Sequence, residues 1–253
     1  MDKDLEKALL ELDQSFRAKG MRLGVETLLT EEEVERLNRN GGDGWKTANV
    51  VIGNLEFYRT YEGLFKYHKL PYETFKKITL TALLTPMDIL GLWKEVQAIP
   101  EKGVYLEIGS FVGGSLVLVD MARQDLSITS IDPHTHNDRN HIERGITSAQ
   151  VYEENTKDIS KTYYRENSVV ACPRIPQESV DLLFVDGGHL YEEAKLDLLN
   201  YWPKVKVGGV MLVHDYSPEG FPGVVKAVDE VFKGSFTRVE DSTLVRIVNG
   251  QPI

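Results

Sequence analysis

The sequence lacks the features that mark secreted, membrane-spanning and nucleic-acid-binding proteins. It has a single cysteine, Cys172, which cannot form an internal disulfide, so a reducing compartment is expected. No stretch approaches the roughly 20 apolar residues of a membrane span, and the first residues carry mixed charges rather than the apolar core of a signal peptide. The net charge of −10 argues against a surface for nucleic acids or anionic lipids. We therefore expect a cytoplasmic protein without a nucleic-acid or membrane partner.

The apolar residues are sufficient for a folded core, and their spacing divides the chain into two parts. They make up 42% of the 253 residues, which suits one domain with an extension. Within residues 1–80, Leu5, Leu9 and Leu12 recur at helical spacing. We predict a helical N-terminal extension that acts as a lid or as a homo-oligomer interface, followed by a domain over residues 81–253. Cys172 ends the apolar run 168–172, where we expect it to be buried.

From residue 103 onward, apolar strands alternate with helical patterns. A helix is expected to begin at Thr85-Pro86, because proline favours the first helical position. The alternation predicts right-handed βαβ units, and so a doubly wound α/β fold with a mostly parallel, Rossmann-like sheet. The predicted buried strands are 104–108, 128–131, 180–185 and 210–213, with helices near 114–122 and 191–202, and segments 236–239 and 243–248 form a C-terminal antiparallel hairpin.

A glycine-rich turn, running from Glu107 to Ser115, connects the first predicted strand to a helix. Ligands of open α/β sheets bind at this edge, and glycine lets the backbone approach them closely. A dinucleotide fingerprint requires a glycine where this chain has Phe111, whose side chain impedes close approach of a pyrophosphate. S-adenosylmethionine has no phosphate, and its cationic groups suit an acidic residue such as Glu107. The turn favours S-adenosylmethionine over a nicotinamide dinucleotide, although a tight turn that binds nothing has the same pattern.

Asp132 follows the second predicted strand at the same edge of the sheet. A carboxylate at this position can accept hydrogen bonds from both ribose hydroxyls of an adenosine. It can also cap a turn, and both roles remain open.

Polar residues follow two further predicted strands. Asp186 and His189 come after strand 180–185, and His214 and Asp215 come after strand 210–213. Two carboxylates at neighbouring strand ends can hold a divalent cation that lowers the pKa of a bound hydroxyl, and an imidazole can take its proton. The alternatives are that the aspartates cap loops, that His189 bonds only to backbone, and that His214 is a core or supporting residue rather than a ligand.

The loop after Asp132 holds three histidines, His134, His136 and His141, together with Asp138. Such a set could form a softer site suited to iron or manganese. We favour a solvated loop or one that covers the substrate.

Taken in order, these motifs resemble the class I S-adenosylmethionine-dependent methyltransferases over roughly residues 80–250. The nearest likeness is to the macrocin-type O-methyltransferases of antibiotic sugars and to the cephalosporin hydroxylase-like group, while catechol O-methyltransferase is a more distant relative. The resemblance implies a seven-stranded sheet with a reversed C-terminal hairpin, and a divalent metal, usually magnesium, on Asp186 and Asp215. It also implies that Glu107, Gly109 and Ser115 line the methionine half of the cofactor, that Asp132 holds the ribose and that His189 is the general base.

One residue departs from this pattern, because His214 stands where antibiotic-sugar members carry the first of two adjacent acids. A weaker, softer or absent metal site is therefore possible.

The function we predict is transfer of a methyl group to a hydroxyl of a small molecule, a sugar or other natural product, with metal assistance. The alternative is a non-catalytic module of the same fold that supports a partner enzyme. The predicted catalytic residues are His189 and Asp186; the predicted metal ligands are Asp186, Asp215 and His214, for magnesium or else manganese or iron; the predicted cofactor-binding residues are Glu107, Gly109, Ser110, Phe111, Gly113, Ser115, Asp132 and Asp186.

Overall fold

The computed structural model describes residues 84–135 and 147–250. The chain divides into two compact units, Met1–Lys76 and Lys77–Ile253, and every described residue belongs to the second. The predicted N-terminal helices and His136, Asp138 and His141 lie outside the described residues. Among the residues described, no helix is long and apolar enough to cross a membrane.

Strands and helices alternate along the second unit as the sequence predicts. Helix α1 begins at Pro86, where Thr85 and Asp88 form a capping box, so the first backbone N–H groups find partners. The elements in chain order are α1 (Pro86–Ala98), β1 (Val104–Ile108), α2 (Gly114–Ala122), β2 (Ser127–Ile131), α3 (Ser148–Asn155), β3 (Lys161–Tyr164), α4 (Ser168–Ala171), β4 (Val180–Val185), α5 (Tyr191–Tyr201), β5 (Val205–Val213), α6 (Pro222–Phe232), β6 (Thr237–Arg238) and β7 (Val245–Val248).

The strands form one seven-stranded sheet in the order β3-β2-β1-β4-β5-β7-β6. Strands β1 to β5 are parallel, whereas β7 runs antiparallel to both β5 and β6. The predicted doubly wound sheet with its antiparallel C-terminal hairpin is therefore confirmed. The chain leaves β1 first toward β2 and later returns to β4, so the strand order reverses between β1 and β4. This reversal is the topological switch point at which open α/β sheets bind ligands.

The central strands are buried on both faces of the sheet. Strands β1 and β4 have nearly continuous apolar sequences, and all but their first or second residue are buried. This pattern is typical of parallel sheets, in which neither face meets water. Since the five parallel strands all end at the same edge, the polar residues that follow them meet there.

The structure differs from the predicted pattern in several elements. Strand β5 starts at Val205, five residues before the predicted start. It includes Gly208, which interrupts the apolar run and has a φ of +83°. Strand β3 and helices α3 and α6 were not predicted. Strand β3 has a weak strand pattern, because it is short and half-buried and two of its four residues are polar. The expected burial of Cys172 is wrong: the run 168–172 forms the short helix α4, Val169 and Val170 are exposed, and Cys172 is half-buried.

Candidate active site

A cavity of about 930 Å³ opens along the carboxyl edge of the parallel strands. Residues after β1, β2, β4 and β5 line it, including Gly109, Asp132, Asp186 and Asp215. The structure therefore brings these four predicted residues to one cavity. Other predicted residues that line it are Ser110, Phe111, Ser115, His189 and His214.

Gly109 is required by the close approach of two loops. Its φ is +86°, and a Cβ atom there would lie 1.8 Å from the backbone oxygen of Asp186. The loop after β1 is also tied to its neighbours, since Gly109 N donates to Ile131 O at 2.9 Å and Asp186 N donates to Ile108 O at 2.8 Å. No side chain fits at this crossing, so glycine allows the loop after β1 to lie against the loop of Asp186.

Asp132 is held by the loops around it. Its Oδ2 accepts a hydrogen bond from Phe111 N at 2.7 Å, and its Oδ1 accepts one from His134 N at 2.6 Å. Phe111 has a φ of +42°, a strained value for a side chain of this size, so the loop bends around the carboxylate. Asp132 thus caps the turns beside it. Each oxygen still has lone-pair capacity for a ligand hydroxyl, so the two roles proposed from the sequence are compatible.

Two predicted cofactor-binding residues, Glu107 and Gly113, are not among the residues that line the cavity. Glu107 is fully buried, and Tyr105 Oη donates to its Oε2 at 2.8 Å, while Oε1 has no hydrogen-bond partner. Burial raises the pKa of the Glu107 carboxyl to about 7, against the effect of the nearby hydroxyls of Ser110, Ser115 and Tyr105. Glu107 therefore lies next to the cavity-lining serines rather than at the cavity surface.

Gly113 faces helix α3. Its φ is +85°, and a Cβ atom would lie 2.5 Å from Thr156 Cγ2. Gly113 therefore allows close packing of the start of α2, and a direct contact with a ligand is not the reason for this glycine.

At the β4–β5 end of the cavity, His189 pairs with Asp215. His189 Nε2 lies 2.8 Å from Asp215 Oδ2, and the imidazole packs against Phe221 with 4.5 Å between ring centroids. The Asp215 hydrogen bond raises the pKa of His189 above its usual value. Although burial opposes ionisation of Asp215, its bonds to His189 and His214 lower its pKa to about 2. The pair is a polarised histidine–carboxylate unit that is open to the cavity.

His214 is engaged through both ring nitrogens. Its Nδ1 lies 2.9 Å from Asp186 Oδ1, and its Nε2 lies 3.3 Å from Asp88 Oδ2. Burial disfavours the charged imidazole, but Asp186, Asp215 and Asp88 together outweigh it and raise the pKa of His214 well above its usual value. His214 therefore holds the Asp186 carboxylate, and its role as a metal ligand stays a prediction.

Asp88 is a site-related residue that the sequence reasoning missed. It is fully buried at the start of α1, and its Oδ1 accepts from Thr243 N at 2.8 Å while its Oδ2 faces His214. The available signal was the capping-box spacing of Thr85 and Asp88, which identifies a helix start but gives no link to a histidine 126 residues away.

Asp186, His189 and Asp215 are the group that the described residues offer to a metal ion, with one ligand atom from each residue and all three atoms within 4.8 Å of one another. Two carboxylates with one imidazole form a chemically reasonable donor set for a divalent ion, and the imidazole suits manganese, iron or zinc at least as well as magnesium. His189 thus stands in the position that the sequence analysis gave to His214.

The ring of His134 belongs to a cluster with two tyrosines, whereas its backbone N–H donates to Asp132. Its side chain is buried against Tyr152 and Tyr163, with ring centroids at 4.9 and 5.7 Å. Burial lowers its pKa, and neither ring nitrogen has a hydrogen-bond partner among the described residues. The predicted three-histidine site otherwise lies outside the described residues.

Comparisons with known proteins agree with this geometry. Residues 106–216, which run from β1 to the end of the β5 loop, match the family model of the methyltransferase domain. The fold is similar to that of the O-methyltransferase NovP, with a TM-score of 0.51 and 18% identity over 65% of this chain and 80% of NovP. It is also similar to a candidate caffeoyl-CoA O-methyltransferase from Staphylococcus aureus, with a TM-score of 0.54 and 12% identity over 74% of this chain and 96% of that protein.

Residues 106–216 thus match the pattern of a methyltransferase domain, and the fold of the second unit is similar to that of O-methyltransferases. An uncharacterized protein of Acanthamoeba polyphaga mimivirus is 28% identical over 139 residues, which are 53% of this chain. The matched part spans 62% of the length of that curated relative.

The cavity has a further wall, formed by residues after β3 and in α5, that the sequence analysis did not predict. Asn167 and Ser168, which follow β3, line the cavity together with Asp197 of α5. Ser168 Oγ donates to Asp197 Oδ1 at 2.5 Å, and this bond links α4 to α5. No local sequence pattern indicates this wall, because β3 carries a weak strand pattern and the apolar run 168–172 predicts buried packing.

Proposed function

We propose that this methyltransferase transfers the methyl group of S-adenosylmethionine to a hydroxyl oxygen of a small molecule, such as a sugar or another natural product. The observation that carries the proposal is that the His189–Asp215 pair and the Gly109–Asp132 loops open into one cavity. A neutral hydroxyl is a poor nucleophile, so oxygen methylation benefits from a nearby proton acceptor.

The β1–β2 side of the cavity supplies the features that an adenosyl cofactor needs. Asp132 presents carboxylate lone pairs for the ribose hydroxyls, and the glycine loop keeps the backbone low beside it. With the ribose at Asp132, the sulfonium would extend toward β4 and β5. There the carboxylates of Asp186 and Asp215 are complementary to its positive charge, which supports the proposal.

His189 is the residue we assign to proton transfer. Asp215 holds the Nε2 side of the ring, which leaves Nδ1 as the atom that accepts the proton of the acceptor hydroxyl. Asp186 is in turn held by His214, so the carboxylate keeps one orientation at the strand end.

A divalent ion on Asp186, His189 and Asp215 would polarise the acceptor hydroxyl and lower its pKa. We propose metal assistance as the second form of the same reaction, favoured by the spacing of these three donors. The two forms use His189 differently, because a metal-bound imidazole nitrogen no longer pairs with Asp215.

The test is calorimetry with S-adenosylmethionine, followed by a mass-spectrometric screen for methylated sugars and phenols with and without a chelator. We expect cofactor binding and methylation of a hydroxyl compound, and loss of turnover on chelation would establish metal assistance. Absence of binding would contradict the proposal. Binding without methylation of any acceptor would favour a non-catalytic module that supports a partner enzyme.

A further inference from the structure

Asp88 makes more contacts than a helix cap requires. It is fully buried in the first turn of α1, and its Oδ2 accepts hydrogen bonds from Thr85 N and Thr85 Oγ1 at 2.9 and 2.5 Å, which complete the cap. Beyond the cap, Oδ2 lies 3.3 Å from His214 Nε2, and Oδ1 accepts from Thr243 N and Thr243 Oγ1 at 2.8 and 3.1 Å. One carboxylate therefore joins α1 to the loop after β5 and to the segment that precedes β7.

The first of these links runs through His214 to Asp186. His214 Nδ1 lies 2.9 Å from Asp186 Oδ1, while the other ring nitrogen faces Asp88. No other hydrogen bond to the Asp186 carboxylate is present among the described residues. Asp186 lines the cavity, so the orientation of its carboxylate there depends on His214, and that of His214 depends on Asp88.

The second link runs through Thr243 to the turn that carries Asp215. Tyr216 N, which follows Asp215 in the chain, donates to Thr243 O at 2.8 Å, while Thr243 N donates to Asp88. Asp215 has a φ of +61°, in the left-handed region that residues other than glycine seldom adopt. The surrounding structure must hold such a turn, and Thr243 is the residue through which Asp88 reaches it.

We infer that Asp88 is a positioning residue for methyl transfer, which orients Asp186 through His214 and Asp215 through Thr243. This rests on the proposed function, in which both carboxylates serve the reaction. Asp88 is not among the residues that line the cavity, so it acts without touching the substrates. Asp88 and Thr243 also lie outside residues 106–216, so the matched methyltransferase pattern does not include this support.

A positioning role and a purely structural role predict different losses. A residue that only caps α1 would lower the stability of the domain and leave the turnover of the folded enzyme unchanged. Displacement of reacting groups by about 1 Å, in contrast, can lower turnover by roughly 100-fold. The hydrogen bonds of Asp132 at the other end of the cavity do not involve Asp88, so cofactor affinity should be spared.

The kinetic test uses Asp88→Asn at a temperature at which the variant is folded, with the acceptor that the methylation screen identifies. We expect kcat to fall by roughly 10- to 100-fold, while the KM for S-adenosylmethionine stays within about threefold. Thr85→Ala is the matched control, because it removes the capping hydroxyl but leaves the links from Asp88 to His214 and Thr243. Its kcat should stay within about twofold of the unmodified enzyme.

A double-mutant cycle separates the link through His214 from independent effects. Because Asp88 reaches Asp186 through His214, adding Asp88→Asn to His214→Asn should lower kcat less than Asp88→Asn does alone. If Asp88→Asn does not fold, Asp88→Ser is the second variant, since its hydroxyl can still serve the start of α1 but is too short to reach His214. Unchanged kcat in a folded Asp88 variant, or losses that multiply in the double variant, would overturn the inference.

A crystal structure of the Asp88 variant supplies a readout that needs no acceptor. We expect the Asp186 carboxylate to leave the position it has in the unmodified protein, and the turn at Asp215 to shift with Thr243. Carboxylates of Asp186 and Asp215 in unchanged positions would overturn the inference. Absence of S-adenosylhomocysteine binding to the unmodified protein, measured by calorimetry, would instead contradict the proposed function.

Discussion

The two ends of the cavity are built by different means. At the β1–β2 end, backbone geometry makes the site: Gly109 fits where no side chain can, and Asp132 is fixed by two backbone N–H groups. At the β4–β5 end, charged side chains make it, with His189 and His214 each set against carboxylates. Under the proposed function the first end binds the cofactor and the second end carries the chemistry, so we expect variants at the two ends to have separable effects.

The largest effect is expected at the charged end. His189→Ala removes the assigned proton acceptor, and turnover should fall by roughly 100- to 10,000-fold, while affinity for S-adenosylmethionine stays within about threefold. Turnover and calorimetric affinity measured on the same preparation check this. Asp132→Ala is the matched variant at the other end and should weaken cofactor binding by roughly tenfold or more, because a charged hydrogen-bond acceptor is lost. If His189→Ala instead weakened cofactor binding as strongly as Asp132→Ala does, the two ends would not be separable.

Removing the Asp88 carboxylate, which lies near His214 at the β4–β5 end, should lower the free energy of unfolding. In Asp88→Asn the buried His214 loses one of its carboxylates, and we expect destabilisation on the order of 3 kcal/mol in denaturant unfolding.

Thr85→Ala is the control for Asp88→Asn, since it removes a helix-capping hydroxyl but leaves the Asp88 carboxylate near His214. It should cost only about 1 kcal/mol. Equal losses in the two variants would show that Asp88 serves α1 alone.

At the β1–β2 end, Glu107 should make the stability of the domain depend on pH. The folded pKa, about 7, lies above the usual value of 4.5, so the folded state binds the proton more tightly than the unfolded state does. Stability from this group is therefore greatest below pH 4.5 and is lost as the pH rises toward 7. Glu107→Gln should be more stable than the unmodified protein at pH 8, by about 3 kcal/mol, and the difference should vanish near pH 4. A difference that does not change with pH would contradict the raised pKa.

A small effect is expected at Gly113. Gly113→Ala places a methyl group at positive φ and against Thr156, and should destabilise the domain by about 1 to 2 kcal/mol. Cofactor affinity should change little, because Gly113 is not among the residues that line the cavity. Thermal unfolding with and without S-adenosylhomocysteine measures both quantities. A loss of affinity as large as that expected for Asp132→Ala would show that Gly113 contributes to cofactor binding.

The same contrast explains what could be predicted from the sequence. Local patterns predict strands β1, β2 and β4, the glycine-rich loop and Asp132. Apolar runs indicate the strands, and the turns after them indicate where each strand of the parallel sheet ends. The roles of His214 and Asp88 could not be found this way, because they depend on a contact between α1 and β5 across 126 residues. The wall of Asn167, Ser168 and Asp197 was missed for a related reason, since a short, half-buried β3 carries a weak strand pattern.

A crystal structure with S-adenosylhomocysteine tests the central claim most directly. We predict the ribose hydroxyls on the Asp132 carboxylate and the thioether sulfur directed toward His189 and Asp186. A ligand bound elsewhere, or bound with its sulfur directed away from the His189–Asp215 pair, would contradict the account.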